Sequence, residues 1–504
     1  MVQTTLPQVK PRVADRFYVS DRLWMSAGLA VIVVCTLVRL LFISTTMVVD
    51  DESYYYVWTH HLAGGYIDGG PVIAYINKFF VHWLGVSGFS VRIGAVTLMT
   101  ALNLFLLYWG AKRFGALTGF LLALLTALTP VCFGLSVVHT YDTEMAFFML
   151  IAIALYYDAL FVDKRYFYLA GILLGLALLA KVSVAFSALA IFLLPFVVKE
   201  KRALLRRPEF YLSFLIAAVV FSPFIYWNLT HDLAFIRFKG GMAFRAGDFS
   251  DFLDVWLAQA GLFLPIVFWF TVSLPIGIVV NALRRRAVPP ERLYFALIAL
   301  FPLGYFVTGS LFSRYYANWV IPAFFGGLFL TALHFGEHWE KYRKLARLHF
   351  LLSGALLVVF IGHVYLDFLP FSTRGDVTSR YFIFSAIPGE LKDYLAVHPE
   401  LQRLRIVGND YQMPSMVNMY LHPALEATGL SLSGYHETLY TMLYPPRTLA
   451  GQDFLFLHTG ETFPTEFRPH FKTVHALQSF TSHRHGKQVN RITLWAVTGY
   501  DGRQ

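Results

Sequence analysis

The sequence predicts a polytopic α-helical membrane protein that ends in a small α/β domain. Of its 504 residues, 57% are hydrophobic and 14% are charged, whereas soluble domains average about 25% charged residues. Apolar runs near or above the length needed to cross a bilayer recur along residues 1–370. Residues 371–504 differ in composition, carry 12 of the 41 Lys and Arg residues, and read as alternating short elements. We therefore predict a transmembrane domain over 1–370 and a separate domain over 371–504.

The apolar runs predict eleven membrane spans. The first follows a polar N-terminal segment and is too long for a signal-peptide core, so we interpret it as an uncleaved span. The division at Ala180 and Lys181 is the weakest, because the two segments that meet there could form one long span. The predicted spans cover residues 23–45, 91–110, 115–138, 143–162, 166–180, 182–199, 210–227, 254–281, 292–309, 316–335 and 349–369.

Basic residues predict the orientation of these spans. With the N-terminus inside, the cytoplasmic loops hold 21 Lys and Arg, and the short outer loops hold 7. The outer basic residues are Lys78, Arg92, Lys181, Arg237, Lys239, Arg245 and Arg314. This asymmetry is typical of membrane topology, so the net charge of +10 does not indicate a nucleic-acid partner. The first outer loop, residues 46–90, and the segment around Asp142 then face the non-cytoplasmic side. An odd number of spans puts residues 371–504 on that side as well.

The C-terminal domain shows short alternating patterns. Gly389–Val397 has the pattern of an amphipathic helix. Strands are predicted at Leu404–Val407, Phe454–Leu457 and Arg491–Val497. We therefore expect a small extracytoplasmic α/β domain.

Three consecutive carboxylates, Asp50, Asp51 and Glu52, stand at the exit of the first span, and aromatic residues and histidines follow at close spacing. A solvated acidic helix start would be an ordinary structural explanation. A membrane enzyme could instead use such a triplet as a general base or as metal ligands. We favour the functional interpretation.

Further polar residues come from distant loops at the same predicted membrane depth. Chemistry at the membrane surface fits this arrangement better than transport, which places ionisable groups near the bilayer midplane. Arg39 is the one charge well inside a span, and it is near enough to an end to snorkel. The collected outer residues are Asp51, Glu52, His60, His61, Tyr66, Asp68, Asp142, Glu144, Lys181, Trp227, Asn228, His231, Arg314, Asn318 and Trp319.

Several members of this set have structural alternatives. The two histidines could be interfacial polar residues, Lys181 could snorkel to the headgroups, and the tryptophans could belong to the aromatic belt. Asp142 is harder to explain in this way, because a carboxylate in a tight turn between apolar spans is costly without a partner.

Several stretches of the chain match one family pattern. They are Asp51–Trp58, Gly65–Asp68, Thr140–Asp142, Leu178–Lys181, Trp227-Asn228 with His231, Asn318-Trp319 and, more loosely, Asn409–Gln412 and Tyr420. These stretches resemble the bacterial branch of glycosyltransferase family 39, which belongs to the multi-span GT-C enzymes. The resemblance departs from the family pattern at Gly70-Pro71, where the family has a proline pair, and at Asn318-Trp319-Val320-Ile321-Pro322, where Asn-Trp-Pro is spread out.

The resemblance implies an inverting hexosyl- or pentosyltransferase of the bacterial inner membrane, with its active site on the periplasmic side. The donor would be a polyprenyl-phosphate-linked sugar, and the acceptor a hydroxyl of lipid A, another lipid, a protein or a surface glycan. Asp51 would be the general base, with Glu52 and Asp142 positioning the acceptor, the base or a metal ion. A divalent metal is allowed but not required, with Glu52, Asp142 and His61 as candidate ligands. Donor-phosphate or substrate contacts are expected from Lys181, Arg314, His231, His61, Tyr55, Tyr66, Asp68, Asn228 and Asn318.

Other functions remain open at this point. A lipid or glycan transporter could use an outer domain to bind its cargo. Within enzymes, a polyprenyl-phosphate phosphatase or a glycan ligase would need a similar interfacial phosphate site.

Overall fold

The computed structural model describes residues 19–243, 246–373, 375–421, 426–430 and 437–503. Most of the first cytoplasmic segment and Arg245, which entered the count of basic residues, lie outside these ranges. The first domain is helical. Its helices are α1 (Val19–Thr45), α2 (Asp50–Trp58), α3 (Val72–Leu84), α4 (Gly88–Phe114), α5 (Ala116–Leu128), α6 (Pro130–Val137), α7 (Tyr141–Phe161), α8 (Tyr166–Ala180), α9 (Ala185–Val197), α10 (Pro208–Thr230), α11 (Ala234–Ala243), α12 (Phe249–Leu283), α13 (Pro290–Ser310), α14 (Phe325–Glu337) and α15 (Trp339–Leu366).

Each predicted span falls on a helical segment, although the number of crossings stays a prediction. Within the described residues, seven helices are long and apolar enough to cross a membrane, or nine if each of two bent pairs is one span. One bent pair is α5 with α6, which meet at 61°. The other joins the segment containing α9 to a turn over 199–206 at 104°. The two remaining predicted spans fall on the shorter helix α8 and on the segment Ile321–Glu337.

The chain breaks at the predicted weak point between α8 and α9. Lys181 is extended, with φ −152° and ψ 120°, and a single 3₁₀ turn follows over Val182–Val184. Gly70 packs directly on this break, since a Cβ at that position would lie 1.6 Å from the carbonyl oxygen of Leu179. Glycine therefore replaces the first proline of the family pattern because the loop before α3 must approach the α8 backbone closely.

Arg39 corrects one expectation. Its side chain does not snorkel, because the residue is 0% exposed inside the bundle. The Nη2 atom donates to the carbonyl oxygen of Ala127 at 2.9 Å. The Nε and Nη1 atoms have no hydrogen-bond partner among the described residues.

The C-terminal domain is a five-stranded sheet with short helices, so the predicted fold class is confirmed. Its elements are α16 (Lys392–Val397), β1 (Arg405–Gly408), α17 (Gln412–Tyr420), β2 (Ala427–Gly429), α18 (Leu439–Leu443), β3 (Phe454–Thr459), β4 (Thr473–Arg484) and β5 (Lys487–Thr498). The predicted strands overlap β1, β3 and β5, and the predicted amphipathic helix corresponds to α16 and the turn before it. The sheet order is β2-β1-β3-β5-β4, in which β1 runs parallel to its neighbours and β5 antiparallel to β3 and β4.

This domain docks on the outer end of the helical bundle. One buried cluster contains Val48 and Val91 of the bundle together with Met416 and Leu494 of the sheet domain. The backbone N–H of Leu439 in turn donates to the Tyr54 hydroxyl at 2.8 Å. The first outer loop and the C-terminal domain therefore lie on the same side of the bundle, as predicted.

Candidate active site

Asp51 lies in the first turn of α2, which begins where the extended residue Val49 ends the loop after α1. Carboxylates are favourable there because the helix dipole and the free N–H groups of the first turn stabilise negative charge. Most of α2 is buried, but the Asp51 side chain remains 34% exposed. The carboxylate is therefore fixed by its helix and still open to an incoming molecule.

Two side chains of the C-terminal domain contact this carboxylate. The Tyr411 hydroxyl donates to Asp51 Oδ1 at 2.9 Å. Arg380 Nη2 donates to Asp50 Oδ1 at 2.5 Å and lies 3.4 Å from Asp51 Oδ2. Burial raises the pKa of the Asp51 carboxyl and the charge of Asp50 adds to this, whereas Arg380 and Tyr411 act in the opposite direction. A carboxyl with a raised pKa is a better proton acceptor than an ordinary surface aspartate.

A second charged centre joins three distant segments. Asp142 stands in the first turn of α7, Lys181 at the break after α8, and Asn318 in a 3₁₀ turn over Ala317–Trp319. Lys181 Nζ pairs with Asp142 Oδ1 and also donates to the Asn318 carbonyl oxygen at 3.1 Å. Asn318 Nδ2 donates to Asp142 Oδ2 at 3.0 Å. Asp142 thus has the partners that its position requires, and both lysine and carboxylate are largely buried.

Aromatic rings connect the two centres. The ring of Tyr141 lies 5.4 Å from Lys181 Nζ and 5.5 Å from the ring of Tyr55. Tyr55 in turn packs edge-on against Trp58 at 5.0 Å. Tyr55 follows Asp51 by one helical turn, so the predicted Tyr55 belongs to the wall of the site.

Asp68 forms a third carboxylate beside this wall. The Tyr54 hydroxyl donates to Asp68 Oδ2 at 2.6 Å. Burial raises the pKa of the Asp68 carboxyl, and nearby Lys239 opposes that shift. Burial lowers the pKa of the Lys239 ammonium group. The nearby charge of Lys181 also lowers it, whereas those of Asp68 and Asp142 raise it. The sequence reasoning did not select Lys239, although it counted it among the outer basic residues.

Glu52 does not face the site. It is 0% exposed and forms an ion pair with Arg92, whose Nη2 lies 2.6 Å from Glu52 Oε2. The backbone N–H groups of Val49 and His139 donate to the same carboxylate at 2.9 and 2.8 Å. The expectation that Glu52 positions an acceptor or a metal ion is wrong for this geometry, because its oxygens are committed to structural contacts.

Other predicted residues lie around the site in mainly structural roles. Tyr66 stacks on Trp58 at 3.9 Å, and its hydroxyl donates to the His61 carbonyl oxygen at 2.9 Å. Arg314 pairs instead with Asp251, with its Nε 3.3 Å from Asp251 Oδ1.

The residues at the end of α10 form a separate group. His231 is exposed and stacks on Trp227 at 4.5 Å. Asn228 is buried, and its Oδ1 has no hydrogen-bond partner within the described ranges. These residues are near the predicted membrane surface, but among the described residues no hydrogen bond or ion pair joins them to Lys181.

The predicted metal ligands Glu52, Asp142 and His61 do not converge. Within the part of the chain that the structure describes, the one set with suitable ligand spacing is His363 and Asp367 at the end of α15 with Asp376, which precedes the turn over Val377–Tyr381. Arg484 Nη1 lies 2.5 Å from Asp376 Oδ2, and Lys487 Nζ lies 2.8 Å from Asp367 Oδ2. Two basic side chains already neutralise these carboxylates, so the set is better suited to docking the sheet domain than to holding a cation.

Sequence reasoning missed Arg380 and Arg92 as well as Lys239. Arg380 reaches Asp50 across 330 residues of sequence, so no local spacing indicates the pair. Arg92 was counted among the outer basic residues, yet it is completely buried. The loose matches at Asn409–Gln412 and Tyr420 pointed to the C-terminal domain, and Tyr411 lies within the first of them.

Comparison with known proteins finds similarity to glycosyltransferases. A family model described as dolichyl-phosphate-mannose-protein mannosyltransferase matches residues 68–227. The matched range includes Asp68, Asp142 and Lys181, but it begins after Asp51. The chain is 27% identical over 315 residues to the lipid A galacturonosyltransferase RgtD of Rhizobium johnstonii. That match covers 57% of this chain and 61% of the relative's length.

The fold is also similar to that of a solved structure. The structure of ArnT from Cupriavidus metallidurans bound to undecaprenyl phosphate matches with a TM-score of 0.61 and 14% identity. The match covers 94% of this chain and 98% of ArnT, and the apo structure of ArnT matches equally well. The similarity in fold therefore extends over nearly all of the chain. Together, the matches confirm the resemblance to the GT-C glycosyltransferases.

Proposed function

Starting from the GT-C resemblance in sequence and fold, we propose that this integral membrane protein transfers a sugar from a polyprenyl-phosphate donor to an acceptor hydroxyl. The observation that carries the proposal is Asp51, an accessible carboxylate of raised pKa beside the charged centre of Asp142 and Lys181. One site thus offers a proton acceptor and a cation to meet a phosphate. The active site lies on the periplasmic face of a bacterial inner membrane.

Asp51 acts as the general base. It accepts the proton of the acceptor hydroxyl as the oxygen attacks the anomeric carbon of the donor sugar. Tyr411 and Arg380 hold the carboxylate from one side and leave part of it exposed. General-base catalysis typically contributes about 10²–10⁴-fold in rate. Attack by the hydroxyl opposite the leaving group inverts the anomeric configuration.

The bond that breaks joins the anomeric carbon to the donor phosphate, which leaves as polyprenyl phosphate with one added negative charge. Lys181 can stabilise this charge through a charge-assisted hydrogen bond. Lys239 is the second candidate cation, because it lies close to Asp68 and the Asp142 centre. Arg314 and His231 are weaker candidates, since one pairs with Asp251 and the other stacks on Trp227. Asp142 then positions Lys181, and Asn318 fixes both.

We propose lipid A as the acceptor, on the basis of the relative that is named as a lipid A galacturonosyltransferase. The donor sugar would then be a uronic acid carried on a polyprenyl phosphate. Lipid profiling of a deletion strain tests this choice, and the proposal expects loss of one sugar from lipid A. Unchanged lipid A with loss of a sugar from another lipid, protein or polymer would assign a different acceptor.

Purified protein in detergent, given a radiolabelled polyprenyl-phosphate sugar and lipid A, tests the reaction class. We expect covalent transfer of label to the acceptor. Release of inorganic phosphate without transfer would indicate a phosphatase. Movement of the labelled lipid across liposomes without covalent transfer would indicate a transporter. For the variant Asp51→Asn in this assay, Asp393→Asn serves as the matched control. Asp393 is an exposed carboxylate on α16, in the domain that covers the site.

A further inference from the structure

Arg380 links the C-terminal domain to the first outer loop. It lies in a 3₁₀ turn over Val377–Tyr381, and its Nη2 contacts both Asp50 and Asp51. Asp50 is almost fully buried, with 5% of its side chain exposed, whereas Arg380 is about half exposed. Two adjacent carboxylates in one helical turn repel each other, and Arg380 is the cation that bridges them.

We propose that Arg380 is a positioning residue that keeps the Asp51 carboxylate ionised and oriented toward the acceptor. This inference rests on the proposed role of Asp51 as the general base. Asp50 Oδ1 accepts a hydrogen bond from Arg380 Nη2 at 2.5 Å, and the same Nη2 atom lies 3.4 Å from Asp51 Oδ2. Tyr411 holds the other oxygen of Asp51 at 2.9 Å. The sheet domain thereby completes the active site.

The charges around Asp51 give the proposal a definite sign. Arg380 is the cation in direct contact, and it favours the ionised carboxylate. Asp50 has the opposite effect. An opposite charge within about 4–6 Å typically changes a carboxyl pKa by about 1–3 units. The groups that face Asp51 or its immediate neighbours are Asp50 and Tyr55 of α2, Asp68 of the following loop, Tyr141 of α7, and Arg380 and Tyr411 of the C-terminal domain.

A purely structural role for Arg380 is the alternative. The contact with Asp50 could serve only to dock the sheet domain, in which case replacing Arg380 would lower stability and leave the titration of Asp51 unchanged. The two roles therefore differ in a measurable quantity.

The test measures the titration of Asp51 directly in the full-length protein. A water-soluble carbodiimide with glycine ethyl ester labels protonated carboxyl groups, and mass spectrometry of the α2 peptide gives the pH midpoint for Asp51. The variants are Arg380→Gln, Arg380→Lys and Asp50→Asn. Arg403→Gln is the matched control, since Arg403 is an exposed arginine of the same domain.

We expect the Asp51 midpoint to move to higher pH in Arg380→Gln and to move less in Arg380→Lys, which restores charge with different geometry. Asp50→Asn should move it to lower pH, and Arg403→Gln should leave it unchanged. An unchanged or lower midpoint in both Arg380 variants would overturn the inference. So would a midpoint in Asp50→Asn at or above that of the wild type, which keeps the test decisive if Arg380→Gln fails to fold.

Sugar transfer by the same variants separates this inference from the proposed function. If both hold, transfer by Arg380→Gln falls at low pH and recovers as pH rises. If Arg380→Gln moves the labelling midpoint while Asp51→Asn still transfers sugar at the wild-type rate, the electrostatic inference stands and the role of Asp51 as base fails.

Discussion

Replacing Glu52 should lower the stability of the protein, whereas replacing Asp51 should leave it nearly unchanged, although the two carboxylates are neighbours in sequence. Glu52 accepts hydrogen bonds from Arg92 at 2.6–2.9 Å and from two backbone N–H groups, all inside the protein. Glu52→Gln keeps the shape but removes the charge, which leaves the guanidinium of Arg92 buried without its counter-ion. Breaking a buried pair in this way typically costs about 3–5 kcal/mol. We expect a loss of stability of this size.

The assay is unfolding of the purified protein in mixed micelles with increasing SDS, followed by tryptophan fluorescence. Asp51→Asn is the matched control, because it makes the same chemical change one position earlier at a partly exposed side chain. Glu52→Gln should unfold at a clearly lower SDS fraction than the wild type, and Asp51→Asn should unfold close to it. The double variant Glu52→Gln with Arg92→Met should lose less than the sum of the single variants, because it removes both charges.

Equal midpoints for Glu52→Gln and the wild type would refute this reasoning. The same is true if the double variant shows simple additivity, since residues in one buried ion pair should couple. Either result would return Glu52 to the list of candidate active-site residues.

Three further predictions concern the site and its orientation. Lys181→Met should weaken binding of a polyprenyl-phosphate sugar by roughly ten- to a hundredfold, as expected for one lost charge-assisted contact, and Lys181→Arg should recover part of it. Unchanged affinity in a filter-binding assay would exclude the lysine from the phosphate site. Single cysteines beside Asp51 and in the C-terminal domain should react with an impermeant maleimide in intact spheroplasts, and a cysteine beside Arg285 only after lysis; the reverse pattern would invert the topology. Burial raises the pKa of Asp51, and the base must be ionised. Transfer should therefore be lost as the pH is lowered, and this acidic limb of the pH–rate profile should lie above the usual aspartate range. Tyr411→Phe should move that limb higher, and a limb at lower pH would contradict the assigned hydrogen bond.

Hydropathy predicted the helical part of the fold because the bilayer itself imposes the pattern. A span needs about 20 apolar residues, so composition alone marks each segment. The bend between α5 and α6 was not predicted, since both helices are apolar and hydropathy does not show where an apolar run changes direction. The bend after α9, where the charged segment Lys199–Arg206 begins, was not predicted either. Arg39 was misplaced for a related reason. Distance from a span end permits snorkelling, whereas packing against the Ala127 backbone decides the outcome.

The sheet domain was predicted in part. The strands with continuous apolar residues were recognised, and β4 was missed although it is one of the two longest strands. Its burial pattern is mostly exposed or intermediate, so Thr473–Arg484 shows little of the hydrophobic signal on which strand prediction depends. Pairing with β5 along its length stabilises it instead.

The candidate site was also predicted only in part. The sequence located Asp51, Asp142 and Lys181 on one face but could not separate Asp51 from Glu52. Successive residues of a helix differ by about 100° in direction, so one carboxylate points toward the open site and the other toward Arg92. Arg380 became visible only in three dimensions, because its contacts depend on how the sheet domain docks.

The most direct test of the account is single-turnover transfer by Asp51→Asn. The variant must first match the wild type in SDS unfolding, so that any loss reflects chemistry. With a radiolabelled polyprenyl-phosphate sugar, lipid A and enzyme in excess, we expect the rate to fall by about 10²–10⁴-fold, the range typical of a lost general base, while donor binding stays near that of the wild type. A rate close to that of the wild type in the folded variant would contradict the assignment of Asp51 as the base.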